Sequence, residues 1–304
     1  MRLTIIVAAL LLAGCGGSPT GPSVTPAPRP VAAPAPAPSP APAPAPTFTG
    51  TVTDTMTGAP VTGYTATVSG ARLIVSAPGY LTRETRNGPS VDLIRNAAPF
   101  DLSFYRQMIR NSHEHPGQLE PLRRWTVAPR VYIRTVDQAG APLDTAVVNG
   151  VERIIRTSAI IEAFTGGEFR LAALEVGPST REGVAGWITV RWQTGDPSVI
   201  GCGLSPVAGT WIELTNSPKC GGCPGAINTY PRLVKHEIGH AMGFWHTDNP
   251  NDVMYASGTI DCDNNPSPQE RTHAAIAYKR QPGNRDIDSD SLTASLSPAR
   301  IVVD

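Results

Sequence analysis

Histidines at 236, 240 and 246, with Glu237 and Gly243 between them, form the run H-E-I-G-H-A-M-G-F-W-H. This is the short zinc signature H-E-x-x-H extended to H-E-x-x-H-x-x-G-x-x-H. At this chain's residue frequencies the long form arises by chance in about one chain per hundred thousand. Residues four apart on a helix share a face, so His236 and His240 can aim ring nitrogens at one point while Glu237 stays beside it. An unbroken helix would carry position 246 about 15 Å along the axis, out of reach of the same ion. The helix must therefore stop, and Gly243 is suited to stop it, because glycine adopts left-handed backbone at little steric cost. His246 then folds back to complete the set. Three neutral imidazoles leave the fourth position of a tetrahedral zinc open, which marks catalytic sites rather than structural ones. Zinc there lowers the pKa of water towards roughly 7, and Glu237 can take the proton as water attacks a carbonyl.

The run resembles the signature of the metzincin clan of zinc endopeptidases, within its matrixin-like branch. The clan carries a methionine turn beneath the metal. Here D-V-M-Y follows, with Met254 in the matching place, and the connection H-T-D-N-P-N-D-V-M-Y is similar to the matrixin one in length and composition. Tyr255 falls one residue too early to match the tyrosine ligand of astacin- and serralysin-like members, so it is not assigned as a ligand. The resemblance is specific over about 236–255. It implies one catalytic zinc, an extended protein or peptide substrate, and Glu237 as the catalytic residue. In that family the strand preceding the active-site region pairs with substrate, and Thr210–Leu214 is the candidate by resemblance. No segment like the propeptide cysteine switch of vertebrate-type matrixins occurs, so cysteine-switch latency is not expected.

The amino terminus locates this chemistry. Met1-Arg2 precedes an apolar run, Leu3 to Leu12, too short to span a bilayer and readable as a signal peptide. Leu12-Ala13-Gly14-Cys15 resembles the bacterial lipoprotein box, which implies cleavage before Cys15 and lipidation of its sulfur. Several acyl chains on one residue would anchor the protein stably. The expectation is a chain exported to the bacterial cell envelope, at the outer membrane or cell surface, held by its lipid alone. Residues 15–46 comprise the lipidated cysteine and a Pro/Ala-rich linker, extended as polyproline II.

The fold class expected is α+β, a small all-β sandwich preceding a metzincin-like domain of twisted mixed sheet, active-site helix and C-terminal helix. Residues 47–96 are rich in threonine, valine and turn signals, with short alternating runs at 49–52, 66–68 and 73–75. G-T-V-T-D-T-M-T-G-A-P-V and V-S-A-P-G-Y are similar to the carboxypeptidase-regulatory-like fold. Residues 97–123 connect, and His113-Glu114-His115 within them reads as exposed loop. The protease domain is placed at 124–283. It has a strand at 131–136, one helix over 144–165, and strands at 169–174, 186–192 and 210–214. The active-site helix follows from about Tyr230 to Met242. A capping box at Ser267-Pro268-Gln269-Glu270 starts a helix to about Lys279. Residues 284–304 form a C-terminal tail.

With Cys15 lipidated, Cys202, Cys220, Cys223 and Cys262 remain, an even number suited to an oxidising compartment. Four cysteines allow three pairings; Cys202–Cys220 with Cys223–Cys262 would staple the loops flanking the cleft. Asp286, Asp288 and Asp290 read as part of a solvated tail, with structural calcium as the alternative. Equal counts of 25 basic and 25 acidic residues provide no electrostatic footprint for nucleic acid. The reading is a surface-tethered monomeric zinc endopeptidase. A rival from another class is a tethered binding module whose metal domain is vestigial or acts only on itself.

Overall fold

The computed structural model describes residues 47–220, 231–256 and 265–292, and the backbone of 301–303. The signal segment, Cys15, the linker, Cys223, Cys262 and the residues just before the catalytic helix lie outside them.

Five short strands come first: β1 (Thr51–Asp54), β2 (Thr65–Ser69), β3 (Arg72–Ser76), β4 (Arg83–Arg86) and β5 (Ser90–Leu93). β1 and β5 pair in parallel, while β2, β3 and β4 form an antiparallel meander. Alternation directs Val52, Leu73, Val75, Val91 and Leu93 into a shared apolar cluster with Val61. Leu81 and Ile94 instead join the larger core of the residues that follow.

The stretch read as a connection contains a helix, α1 (Leu102–Arg110). Asp101 caps it, its carboxylate accepting the amides of Ser103 and Phe104 at 2.8 and 3.2 Å, and Asn111 closes it in left-handed backbone. Phe104, Tyr105, Met108 and Ile109 form its buried face.

β6 (Arg130–Arg134) leads to α2 (Thr145–Thr157) and α3 (Ile160–Thr165). The single helix expected over 144–165 is broken at Ala159, whose φ is +47°. On an unbroken helix Ile160 and Phe164 would fall on the side away from Val148 and Ile155. The break lets both sets be buried. β7 (Ala173–Gly177), β8 (Trp187–Gln193), the short α4 (Pro197–Ile200), β9 (Gly203–Pro206) and β10 (Trp211–Thr215) follow. After a 3-10 turn at Pro218–Cys220 come α5 (Pro231–Ala241), α6 (Pro268–Tyr278) and β11 (Ile301–Val303).

The large sheet runs β11-β9-β10-β8-β6-β7. β7, β6, β8 and β10 are parallel, whereas β9 is antiparallel to β10 and β11 antiparallel to β9. The parallel centre is buried on both faces, which explains why β6 and β8 carry nearly continuous apolar runs rather than alternation. Among the described residues no helix is long and apolar enough to cross a membrane. The structure is thus mixed α and β, with helices packed on a mixed sheet.

Two of the tail aspartates are not solvated. Asp288 and Asp290 are 2% and 4% exposed. Arg280 of the segment after α6 donates to both oxygens of Asp288 at 2.7 and 2.9 Å, and to Asp92 of β5 at 2.5 Å. Arg83 and Thr85 of β4 bond Asp290 at 3.0 and 2.7 Å, and Arg106 of α1 bonds Asp286. Guanidinium groups occupy the positions a calcium ion would need, so these carboxylates join parts of the chain rather than hold a cation. The Cys202–Cys220 disulfide is present, tying the entry of β9 to the turn after β10.

Candidate metal centre

α5 delivers His236, Glu237 and His240, all at most 5% exposed. Its end is set by the backbone that Gly243 permits. Gly243 has φ +111°, and the Phe244 amide reaches back to the Gly239 carbonyl while that of Gly243 bonds His240 O. This is the Schellman pattern, with Gly243 in the left-handed position. A β-carbon there would also lie 2.1 Å from the Arg123 carbonyl oxygen. The remaining carbonyls of the last turn are satisfied from afar: Trp125 Nε1 donates to Ala241 O at 2.7 Å and the Tyr278 hydroxyl to Met242 O at 2.8 Å. The chain then turns, fixed by the Trp245 amide on Met108 O of α1, and brings His246 back to the helix.

The three Nε2 atoms converge, with separations of 3.0 Å (240 to 236), 3.1 Å (240 to 246) and 3.3 Å (236 to 246). Tetrahedral zinc at about 2.0–2.1 Å from each nitrogen would set neighbouring ligands roughly 3.4 Å apart. The other ring nitrogens fix the tautomers. His236 Nδ1 donates to Val253 O at 2.5 Å, His240 Nδ1 to Phe244 O at 2.7 Å, and His246 Nδ1 to the carboxylate of Glu114. A carbonyl can only accept, so the proton sits on Nδ1 and each Nε2 presents a lone pair. Three buried lone pairs facing one another repel unless a cation lies between them. Donor set, spacing and tautomers therefore fit a divalent metal, and the three histidines form a metal-holding group among the described residues.

Glu114 is the residue the sequence reading missed. It belongs to the loop after α1, which is exposed as expected, and from 132 positions upstream its carboxylate accepts the Nδ1 hydrogen of His246. Outer carboxylates of this kind raise imidazole basicity and lock ring orientation.

Met254 lies under α5. A β-carbon at Gly239 would stand 2.3 Å from its sulfur, so the bare glycine in H-E-I-G-H is what admits the methionine. The connection from His246 is held by the Thr247 amide on Met254 O at 2.8 Å, and by Asp252, which accepts from Thr247 and Asn249 side chains. Glu270 of α6 completes the support. Its carboxylate accepts the amides of Val253 at 3.1 Å, Met254 at 2.8 Å and Ser267 at 2.7 Å. The capping box is thus formed, and the same side chain also carries the methionine turn. Burial and the nearby charge of Asp252 push Glu270 up to about 7, against the downward pull of the three amides. Burial likewise raises Asp252.

Glu237 is fully buried against β9, where a β-carbon at Gly203 would fall 1.9 Å from Oε1. Gly203 therefore makes room for the carboxylate. β10, which contains most of the strand assigned to substrate pairing, is internal: β8 takes one edge and β9 the other. With both ladders filled it cannot pair with a peptide, so the assignment of Thr210–Leu214 is corrected. The next strand outward, beside the helix, is β9, flanked by β10 and β11.

The site defined by these residues is a buried three-histidine metal centre with an adjacent carboxylate. No protein-family model matches the chain. Among solved structures it is similar to metalloproteinase-II from Bacteroides fragilis, at 13% identity over 76% of this chain and 85% of that one, with a TM-score of 0.34. The reading of the site rests on the geometry above.

Proposed function

We propose that this chain is a zinc-dependent endopeptidase of the matrixin-like metzincin kind, acting on extracellular or envelope proteins from a lipid anchor at Cys15. The observation that carries the reading is the convergence of three buried, tautomer-locked Nε2 atoms on the helix that also carries Glu237. His236, His240 and His246 would hold the ion. When bound, zinc supplies Lewis acidity, polarising a carbonyl and making water a competent nucleophile near neutral pH. Glu237 takes the proton of the attacking water and passes it to the leaving amine. Its burial beside Gly203 holds the carboxylate in place. The anchoring and the envelope location rest on the amino-terminal sequence.

Metal analysis provides the test. Purified protein should hold one zinc per chain. Peptide hydrolysis should be lost on chelation and return with one equivalent of zinc, while His240→Ala should bind none. Peptide hydrolysis that persists in fully metal-depleted protein would refute the reading.

A further inference from the structure

β9 has two neighbours: β10 on its inner side, and on its outer side β11, from almost a hundred residues further along the chain. The pairing is antiparallel, with Ile301 opposite Pro206, Val302 opposite Ser205 and Val303 opposite Leu204. The strand therefore runs towards the Gly203 end of β9, the end that makes room for the Glu237 carboxylate. An extended segment added to this edge is gripped through its backbone, because ladder hydrogen bonds are made by peptide groups whatever the side chains. Its direction along β9 leads it to the carboxylate assigned the proton transfer.

We propose that residues 301–303, paired along the outer edge of β9, act as an intramolecular competitor of the extended substrate that the peptidase reading places on this edge. The ligand class is an extended peptide lying antiparallel to Gly203–Pro206. Identifying the edge with the place where substrate is cut rests on the peptidase reading; its occupation by the chain's own segment does not. Because it belongs to the same chain, the segment competes at an effective concentration that does not fall on dilution. A free peptide must displace it, so the competitor raises the concentration of substrate needed without touching the metal ligands.

The test uses a fluorescent peptide of the sequence S-P-A-R-I-V-V-D, residues 297–304, and two full-length proteins, wild type and Val302→Pro. Proline removes a backbone amide from the ladder, so the variant should release the edge. The labelled peptide should bind the variant at least about tenfold more tightly than wild type. The variant's KM for cleaved peptides should fall by a similar factor with kcat unchanged. Val303→Gly, which keeps the amide but raises the entropic cost of ordering the strand, serves if the proline variant does not fold, with a smaller shift in the same direction. Equal affinity for wild type and variant, or no binding to a folded variant, overturns the proposal. Failure of the peptidase reading looks different: binding then follows the variants as stated while no Glu237-dependent turnover appears.

Discussion

Glu270 holds Met254: its Oε1 accepts the Met254 amide at 2.8 Å, and its Oε2 accepts the neighbouring Val253 amide. The Val253 carbonyl in turn accepts a hydrogen bond from His236 Nδ1. One buried carboxylate at the start of α6 is thus linked through a single residue to His236 of the three-histidine cluster.

Replacing Glu270 by glutamine removes an acceptor that serves three amides and should destabilise the protein by about 1–3 kcal/mol. The difference should depend on pH. Glu270 titrates at about 7 in the folded protein, above its unfolded value of 4.5. Its contribution is fully present below 4.5 and is lost as pH rises through 7, by up to about 3 kcal/mol. The urea stability of metal-depleted wild type relative to Glu270→Gln should therefore fall between pH 4.5 and 7, histidine titration being common to both. A difference that rises with pH would contradict this placement.

Glu114→Ala should leave the fold intact and weaken zinc binding by about 10–100-fold, the cost of removing a carboxylate behind a metal-bound imidazole. Competition with a chelator of known affinity measures it. Unchanged zinc affinity would show that the Glu114 contact with His246 does not support the ligand.

Gly203→Ala places a methyl group on the Glu237 carboxylate, 1.9 Å from Oε1 in the present geometry. Turnover should fall at least about tenfold, because misplacing a reacting group is costly, while zinc stoichiometry stays at one. Loss of zinc in the same proportion as activity would mean the substitution damages the whole site.

Arg280 is fully buried between Asp288 and Asp92. Arg280→Met leaves buried Asp288 without its guanidinium and Asp92 with Arg83 as its remaining cation, and should cost about 3–5 kcal/mol in urea unfolding. Asp92 is held at about 2: burial pushes it up, but Arg280 and Arg83 outweigh that. Its stabilising contribution is full above the unfolded value near 3.8 and is lost as pH falls towards 2. The variant should therefore show a shallower loss of stability below pH 4 than wild type.

The three-histidine cluster was legible because its geometry is local: i, i+4 on a helix, then a glycine stop. The capping box at Ser267 and Glu270 was legible for the same reason, although its second task at Met254 was not, since nothing local ties residue 270 to 254. Glu114 was illegible in principle, its partner lying 132 residues away in a loop without periodicity. β9 was hidden by composition, because glycine and proline within four residues ordinarily argue against a strand. The tail aspartates looked solvated because alternating acids usually are; their arginines come from β4, the segment after α6, and α1. α1 could have been found, since Asp101 caps a segment whose apolar residues at 104, 105, 108 and 109 repeat at helical spacing.

The most direct measurement of the central claim compares wild type with Glu237→Ala, both holding one zinc per chain, on a diverse peptide pool with cleavages mapped by mass spectrometry. The account predicts internal cuts in the wild-type digest that are absent with the variant. Identical cleavage by the two zinc-loaded proteins, or none by either, would contradict it.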